Sequence, residues 1–175
     1  MAKKSRYLIT TADESTWVFD RPVIFLGPWC LLAHRKHIWS YLDYKVMPYH
    51  WDNPNEMYKD ADIVRAAYIN LLPDLAKSLN NEHGLKWSIR AWKIVIGPWF
   101  LKYIEILFDR WRSIQYALNN YEISSASIDY PTWKKIISKD LAEFSEKAKT
   151  DEWNYYIFSE LLLNSKKINL NKKVP

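Results

Sequence analysis

The run Asn53-Pro54-Asn55-Glu56 constrains this chain most, because it commits the segment after it to a long helix. Asn53 can accept a hydrogen bond from an orphan amide of the first turn, and Pro54 is pre-set for the first helical position. Glu56, three residues after the cap, completes a capping box. Met57, Ala61, Val64, Tyr68, Leu71, Leu75 and Leu79 then recur at helical spacing, which predicts a helix over 54–82. Gly84 supplies the stop, and Pro73 predicts a kink or a split. A second helical stretch runs over 87–118, with Lys102, Glu105, Asp109 and Arg112 on its polar face. Ile104, Leu107, Phe108, Trp111 and Ile114 mark the apolar face. Gly97-Pro98 predicts a break or a sharp kink within it.

The rest reads as strands and shorter helices. Arg6 to Thr11 is β-branched and aromatic, and Val23 to Leu26 is fully apolar and closed by Gly27-Pro28; both read as strands. Lys36 to Leu42 reads as a short helix. Val46 to Tyr49 is a weaker strand, because Pro48 limits its ladder. Ile123 to Ile128 is a further strand, and Pro131 to Lys149 and Asp151 to Asn164 are two more helices. This order predicts an α/β fold, a partial Rossmann-like parallel sheet flanked by long helices. The expected division is a Rossmann-like lobe over 1–130, a helical extension over 131–165 and a basic tail over 166–175. The tail, KKINLNKKVP, ends without a cap or closing element, which suggests a chain cut from something longer.

Composition narrows the function classes. The net charge is +5, with Lys3, Lys4, Arg6, Lys166, Lys167, Lys172 and Lys173 at the ends, which read as solvated. Twenty acids are interspersed with the cations and no recognition motif is present, so nucleic acid is not an expected partner. Cys30 is the single cysteine, so no intrachain disulfide forms. It reads either as a buried thiol or as a nucleophile served by His34. No apolar run approaches the roughly 20 residues that span a bilayer. The expected location is the cytoplasm, with peripheral contact to the inner face of the membrane as an extension. Ile94 to Leu101, flanked by Lys93 and Lys102, fits either core packing or a membrane interface. His34 and His37 have a ligand-like spacing, but Arg35 and Lys36 between them repel a cation, so no metal is expected. With three glycines there is neither GxGxxG nor GxxxxGK[ST]. A phosphate cradle needs close backbone approach, so no cofactor is expected in this chain.

Two loops carry the candidate chemistry. Thr10 to Trp17 follows the first strand, and Tyr49-His50-Trp51-Asp52 follows the third. Open α/β sheets bind ligands beyond the carboxyl ends of their strands. Carboxylates take hydroxyl hydrogen bonds, and aromatic faces cover the apolar side of a sugar ring. Thr11, Asp13, Trp17, Trp29, Tyr49 and Trp51 are thus candidate binding residues. Glu14, Asp52 and His50 are candidate catalytic ones, with Asp13 a further possible base. The competing reading is turn chemistry, with Asp13 and Asp52 ordering their loops.

RYLITTADESTW, VIFLGPWC, MPYHWDN, HGLKWSIRAWKIVIGPWFLKYIEILFDRW and DEWNYYIFSE together resemble the N-terminal part of a transferase family. Its members occur in bacterial O-antigen and other surface-polysaccharide gene clusters. The resemblance implies a two-lobed glycosyltransferase of the twin-Rossmann type. It also implies a nucleotide-sugar donor held in a missing C-terminal part. The acceptor would be a glycan or lipid-linked glycan, with Trp17 and Trp51 stacked on it. The resemblance brings no catalytic residues of its own. The alternative is a non-catalytic interaction or membrane-docking module, or the remnant of a truncated gene.

Overall fold

The computed structural model describes residues 5–129, 136–165 and 167–172. Its strands are β1 (Arg6–Ile9), β2 (Val23–Phe25), β3 (Tyr44–Val46), β4 (Ile123–Ile128) and β5 (Asn169–Lys172). Its helices are α1 (Lys36–Trp39), α2 (Pro54–His83), α3 (Ile89–Asn120), α4 (Leu141–Lys147) and α5 (Asp151–Ser165). Residues 131–135 of the helix expected over 131–149 lie outside the described residues; in the remainder, residues 137–140 are not helical and α4 covers only Leu141–Lys147.

The five strands form one sheet in the order β3-β2-β1-β4-β5, and every pair is parallel. The α/β Rossmann-like expectation therefore holds. Tyr7, Leu8 and Ile9 face Val23, Ile24 and Phe25 in register. Side chains alternate across a strand, so both faces of a parallel sheet need cover. One face sets Leu8, Ile24, Leu26, Met47, Ala126 and Ile128 against Ile114 and Ala117 of α3 and Phe158 and Leu162 of α5. The other sets Tyr7, Ile9, Val23 and Phe25 against Trp17, Cys30, Ile38 and Trp39. Most of α5 from Trp153 to Leu162 is buried, the pattern of a helix enclosed by core.

Several expectations are corrected. The chain forms two compact units, residues 1–50 with 110–175, and residues 51–109. The division after residue 130 is not observed, since α5 belongs to the sheet unit's core. Asn169–Lys172 is not a solvated tail but edge strand β5, paired with β4 from Ser125↔Asn169 to Ile128↔Lys172. Arg6 is pinned as well. It donates to the carbonyls of Val23 and Asp43, both at 3.0 Å, and to the Asp43 carboxylate at 2.9 Å, tying together the starts of three strands. The third strand begins earlier than expected and ends at Val46, before Pro48 can interrupt its ladder.

The second unit holds α2 and the first two-thirds of α3. Asn53 caps α2 by accepting from the Asn55 amide, and Gly84 ends it in the left-handed conformation at φ 62°. Neither proline breaks its helix. Pro73 and Pro98 lie on exposed sides. Ile69 and Ile94, whose carbonyls lose their helical partners, are themselves exposed, so water can take up the lost bonds. Gly97 serves packing instead: a Cβ there would lie 2.7 Å from the Tyr68 hydroxyl of α2. Asn80 builds the turn between the helices. Its side chain donates to the Trp87 carbonyl at 2.9 Å and accepts from the Trp87 amide at 3.0 Å and the Trp92 indole at 2.9 Å.

Candidate functional site

The carboxyl ends of parallel strands share one edge, and ligands collect where neighbouring connections diverge. Here that point lies between β1 and β4, because the chain passes from β1 to β2 on one side and returns to β4 on the other. The loop leaving β1 begins with Thr10 and Thr11, both buried. Its backbone is held by three distant groups. The Trp29 indole donates to the Thr10 carbonyl at 3.1 Å, and the Trp17 indole to the Thr11 carbonyl at 3.0 Å. The Ala12 amide donates to the Asp151 carboxylate at the start of α5, at 3.0 Å. The Thr11 hydroxyl is buried without a hydrogen-bond partner among the described residues. Such a group is costly unless something else satisfies it.

Asp13 then caps a 3-10 turn over Glu14–Thr16, accepting from the Ser15 amide at 3.0 Å and the Ser15 hydroxyl at 2.5 Å. Glu14 forms a two-pronged ion pair with Arg35: the guanidinium Nε donates at 2.8 Å and Nη2 donates to the other carboxylate oxygen. That hydrogen-bonded guanidinium holds the Glu14 carboxyl below its ordinary range, which makes it a weak base. The pair stands in an open groove of about 480 Å³, lined by Ala12, Asp13, Glu14, Ser15, Leu32, His34 and Arg35. The groove therefore presents carboxylates, a hydroxyl, a guanidinium and an imidazole together.

Aromatic rings flank this edge. Trp29, 38% exposed, lies edge-on to Tyr49 with centroids 6.3 Å apart. The Trp29 ring folds back over Gly27, where an added Cβ would meet it at 2.1 Å. Glycine is required there for close approach, not for backbone angle, since its φ of −176° is ordinary extended backbone. His50 follows Tyr49, with ring centroids 4.7 Å apart, and its Nδ1 lies 3.4 Å from the Ser113 hydroxyl of α3.

The structure thus brings Thr11, Asp13, Glu14, Trp29, Tyr49 and His50 onto the loops of one sheet edge. Trp17 is corrected: it is only 8% exposed, edge-on to Phe25 at 5.0 Å, and its ring belongs to the core and cannot stack on a sugar. Trp51 and Asp52 fall in the second unit. The Trp51 indole donates there to the buried Asp60 carboxylate at 2.9 Å, and Asp52 is exposed. Cys30 is fully buried and donates to the Ile9 carbonyl. Burial pushes its thiol up to about 12, so it stays protonated and is no nucleophile.

Sequence reasoning missed Arg35 as a groove residue, since His34-Arg35-Lys36-His37 reads only as a basic cluster. It also missed a phenol cluster near β4. Tyr155 of α5 shares a 2.9 Å hydrogen bond with Ser127, and burial, with the Tyr7, Asp129 and Asp13 charges adding, pushes its hydroxyl up to about 12. Tyr7, hydrogen-bonded to the same serine, is also raised by burial. A phenol raised on folding stabilises the fold fully below its unfolded pKa, here 10, and the contribution is lost as pH climbs towards 12. Tyr155→Phe should therefore lower the melting temperature at neutral pH, by loss of a bond worth about 1 kcal/mol. The gap to wild type should close between pH 10 and 12; a gap that stays constant over that range contradicts the assignment.

Comparison with curated proteins and with solved structures finds no match. A family model described as the LIC12162 family transferase matches residues 6–174, nearly the whole chain. The chain is therefore a member of the LIC12162 family of transferases.

Proposed function

We propose that this chain is the acceptor-side lobe of a glycosyltransferase that builds bacterial surface polysaccharide such as O-antigen. The reading rests chiefly on the groove between the loops that follow β1 and β2, where a hydroxyl and carboxylates collect, with Trp29 and the half-buried Tyr49 on the same sheet edge. That mixture suits a ligand with many hydroxyls and an apolar ring face. In this reading Trp29 and Tyr49 cover the sugar ring. Asp13 and the Glu14–Arg35 pair receive hydroxyl hydrogen bonds, and Thr11 binds the innermost hydroxyl.

In the transfer, an acceptor hydroxyl oxygen bonds to the anomeric carbon as the bond to the nucleoside diphosphate breaks. The hydroxyl proton passes to a base, and the diphosphate leaves with the bonding electrons. His50 is the base favoured here, because Arg35 weakens Glu14 while Ser113 orients the imidazole. The nucleotide-sugar is assigned to a lobe outside residues 1–175. Gly27, the one glycine on this edge, lies under the Trp29 ring, so no open glycine backbone faces a phosphate. The acceptor is taken to be a glycan or lipid-linked glycan.

Calorimetric titration of an acceptor oligosaccharide into the chain tests this reading. Saturable binding is expected for wild type and strongly weakened binding for Gly27→Ala, whose new methyl displaces Trp29. Absence of binding, or equal binding by the variant, contradicts it.

A further inference from the structure

The turn joining α2 to α3 carries a chemistry that the transfer reaction does not use. From His83 to Ile104 the sequence contains no acid, while Lys86, Arg90, Lys93 and Lys102 supply four cations. The same segment exposes large apolar side chains. Trp87 is 45% exposed, Ile89 50%, Val95 59% and Ile94 71%. Arg90, Ile94, Pro98 and Lys102 recur every four residues, so they share one exposed face of α3. Cations and apolar groups are therefore interleaved on one surface.

The surface is rigidly built. Asn80 clamps Trp87 through both its amide and its carbonyl, and Trp87 packs on Trp92 with centroids 4.9 Å apart. The Ser88 hydroxyl accepts from the Ala91 amide and so caps the start of α3. Little ordering is left to oppose binding. Exposed apolar groups interspersed with cations and a tryptophan match the boundary of an anionic bilayer. Hydrocarbon accepts the apolar groups, indole favours the headgroup level, and lipid phosphates and carboxylates meet the cations. No described helix is long and apolar enough to cross a membrane.

We propose that the α2–α3 tip, with Lys86, Trp87, Arg90, Lys93 and Ile94 foremost, docks on an anionic membrane surface. The absence of acids over this segment selects a negatively charged partner, and the exposed aliphatic groups select one with an apolar interior. The tip belongs to the compact unit of residues 51–109, and the proposed sugar site to the other.

Cosedimentation of the whole chain with vesicles of phosphatidylcholine, alone or mixed with phosphatidylserine, tests it. Binding is expected only with phosphatidylserine present and is expected to weaken as salt rises. The double variant Lys86→Gln, Arg90→Gln should bind roughly 25-fold more weakly, about fivefold for each lost cation. Trp87→Ser with Ile94→Ser should weaken binding at both low and high salt. Failure to sediment, equal binding to neutral vesicles or salt-independent binding overturns the proposal. So does a dimer in sedimentation velocity that Ile94→Ser dissolves, because the surface would then serve a second copy. The lipid and salt dependence of the wild-type chain decides the matter even if a variant fails to fold.

Discussion

Phe158→Ala is expected to lower the unfolding free energy by about 3–5 kcal/mol. Phe158 is 2% exposed on α5 and belongs to the cluster that includes Leu8, Ile24, Ala126 and Ile114. It thus joins central strands to two helices. Truncation loses the transfer energy of the ring and leaves a cavity, which a close-packed sheet face closes only in part. Domains are stable by about 5–15 kcal/mol, so the variant should be marginal at best. Ile94→Ser, at an exposed position, should change stability by about 0.5 kcal/mol or less and serves as the internal control. Urea unfolding of both variants measures the difference. A loss below about 1 kcal/mol for Phe158→Ala would mean that α5 does not hold the sheet.

On the proposed transferase reading, His50→Ala should reduce turnover by about 10²–10⁴-fold, the usual contribution of a positioned base. The ring sits beside Tyr49 with Nδ1 3.4 Å from the Ser113 hydroxyl. Added imidazole should restore part of the lost rate, which a purely structural role would not permit. Glu14→Gln should cost less turnover. Its charge is already engaged by Arg35, so the change loosens the groove without removing the proton acceptor. Turnover unchanged in His50→Ala, with Glu14→Gln inactive, would reverse these two roles.

The range of each signal decides which features can be read from the sequence and which are hidden in it. The start of α2 at Asn53-Pro54 and its stop at Gly84 are local chemistry and are read directly. Strands β1 and β2 are short, apolar or β-branched runs, equally local, whereas β4 is half serine and is marked only by Ile123 and Ile128 at its ends. Strand β5 escapes notice because asparagine and lysine dominate it, although Ile168 and Leu170 alternate and pack against the core. The continuity of α2 through Pro73 and of α3 through Pro98 depends on which side of each helix meets water. Division of the chain at residues 51 and 109 cuts through α3 and so leaves no mark in composition.

The site divides in the same way. Placement of the post-β1 loop at a strand end comes from topology, and Thr11, Asp13 and Glu14 lie there. Which tryptophan is core and which is surface does not. Trp17 and Trp29 both donate their indoles to that loop, yet one ring turns inward to Phe25 and the other lies over Gly27. The Glu14–Arg35 pair spans 21 residues and depends on the return of the chain after β2. That pairing lowers the proton affinity of the Glu14 carboxyl, which lines the groove.

The indole resonance of Trp29 in ¹⁵N-labelled chain, followed during addition of an acceptor oligosaccharide, tests the proposed acceptor groove most directly. It should shift in a saturable way together with Thr11 and Tyr49, while a nucleotide-sugar added alone moves none of them. Shifts confined to residues 51–109, or saturable shifts with the nucleotide-sugar alone, would contradict an acceptor groove at this sheet edge.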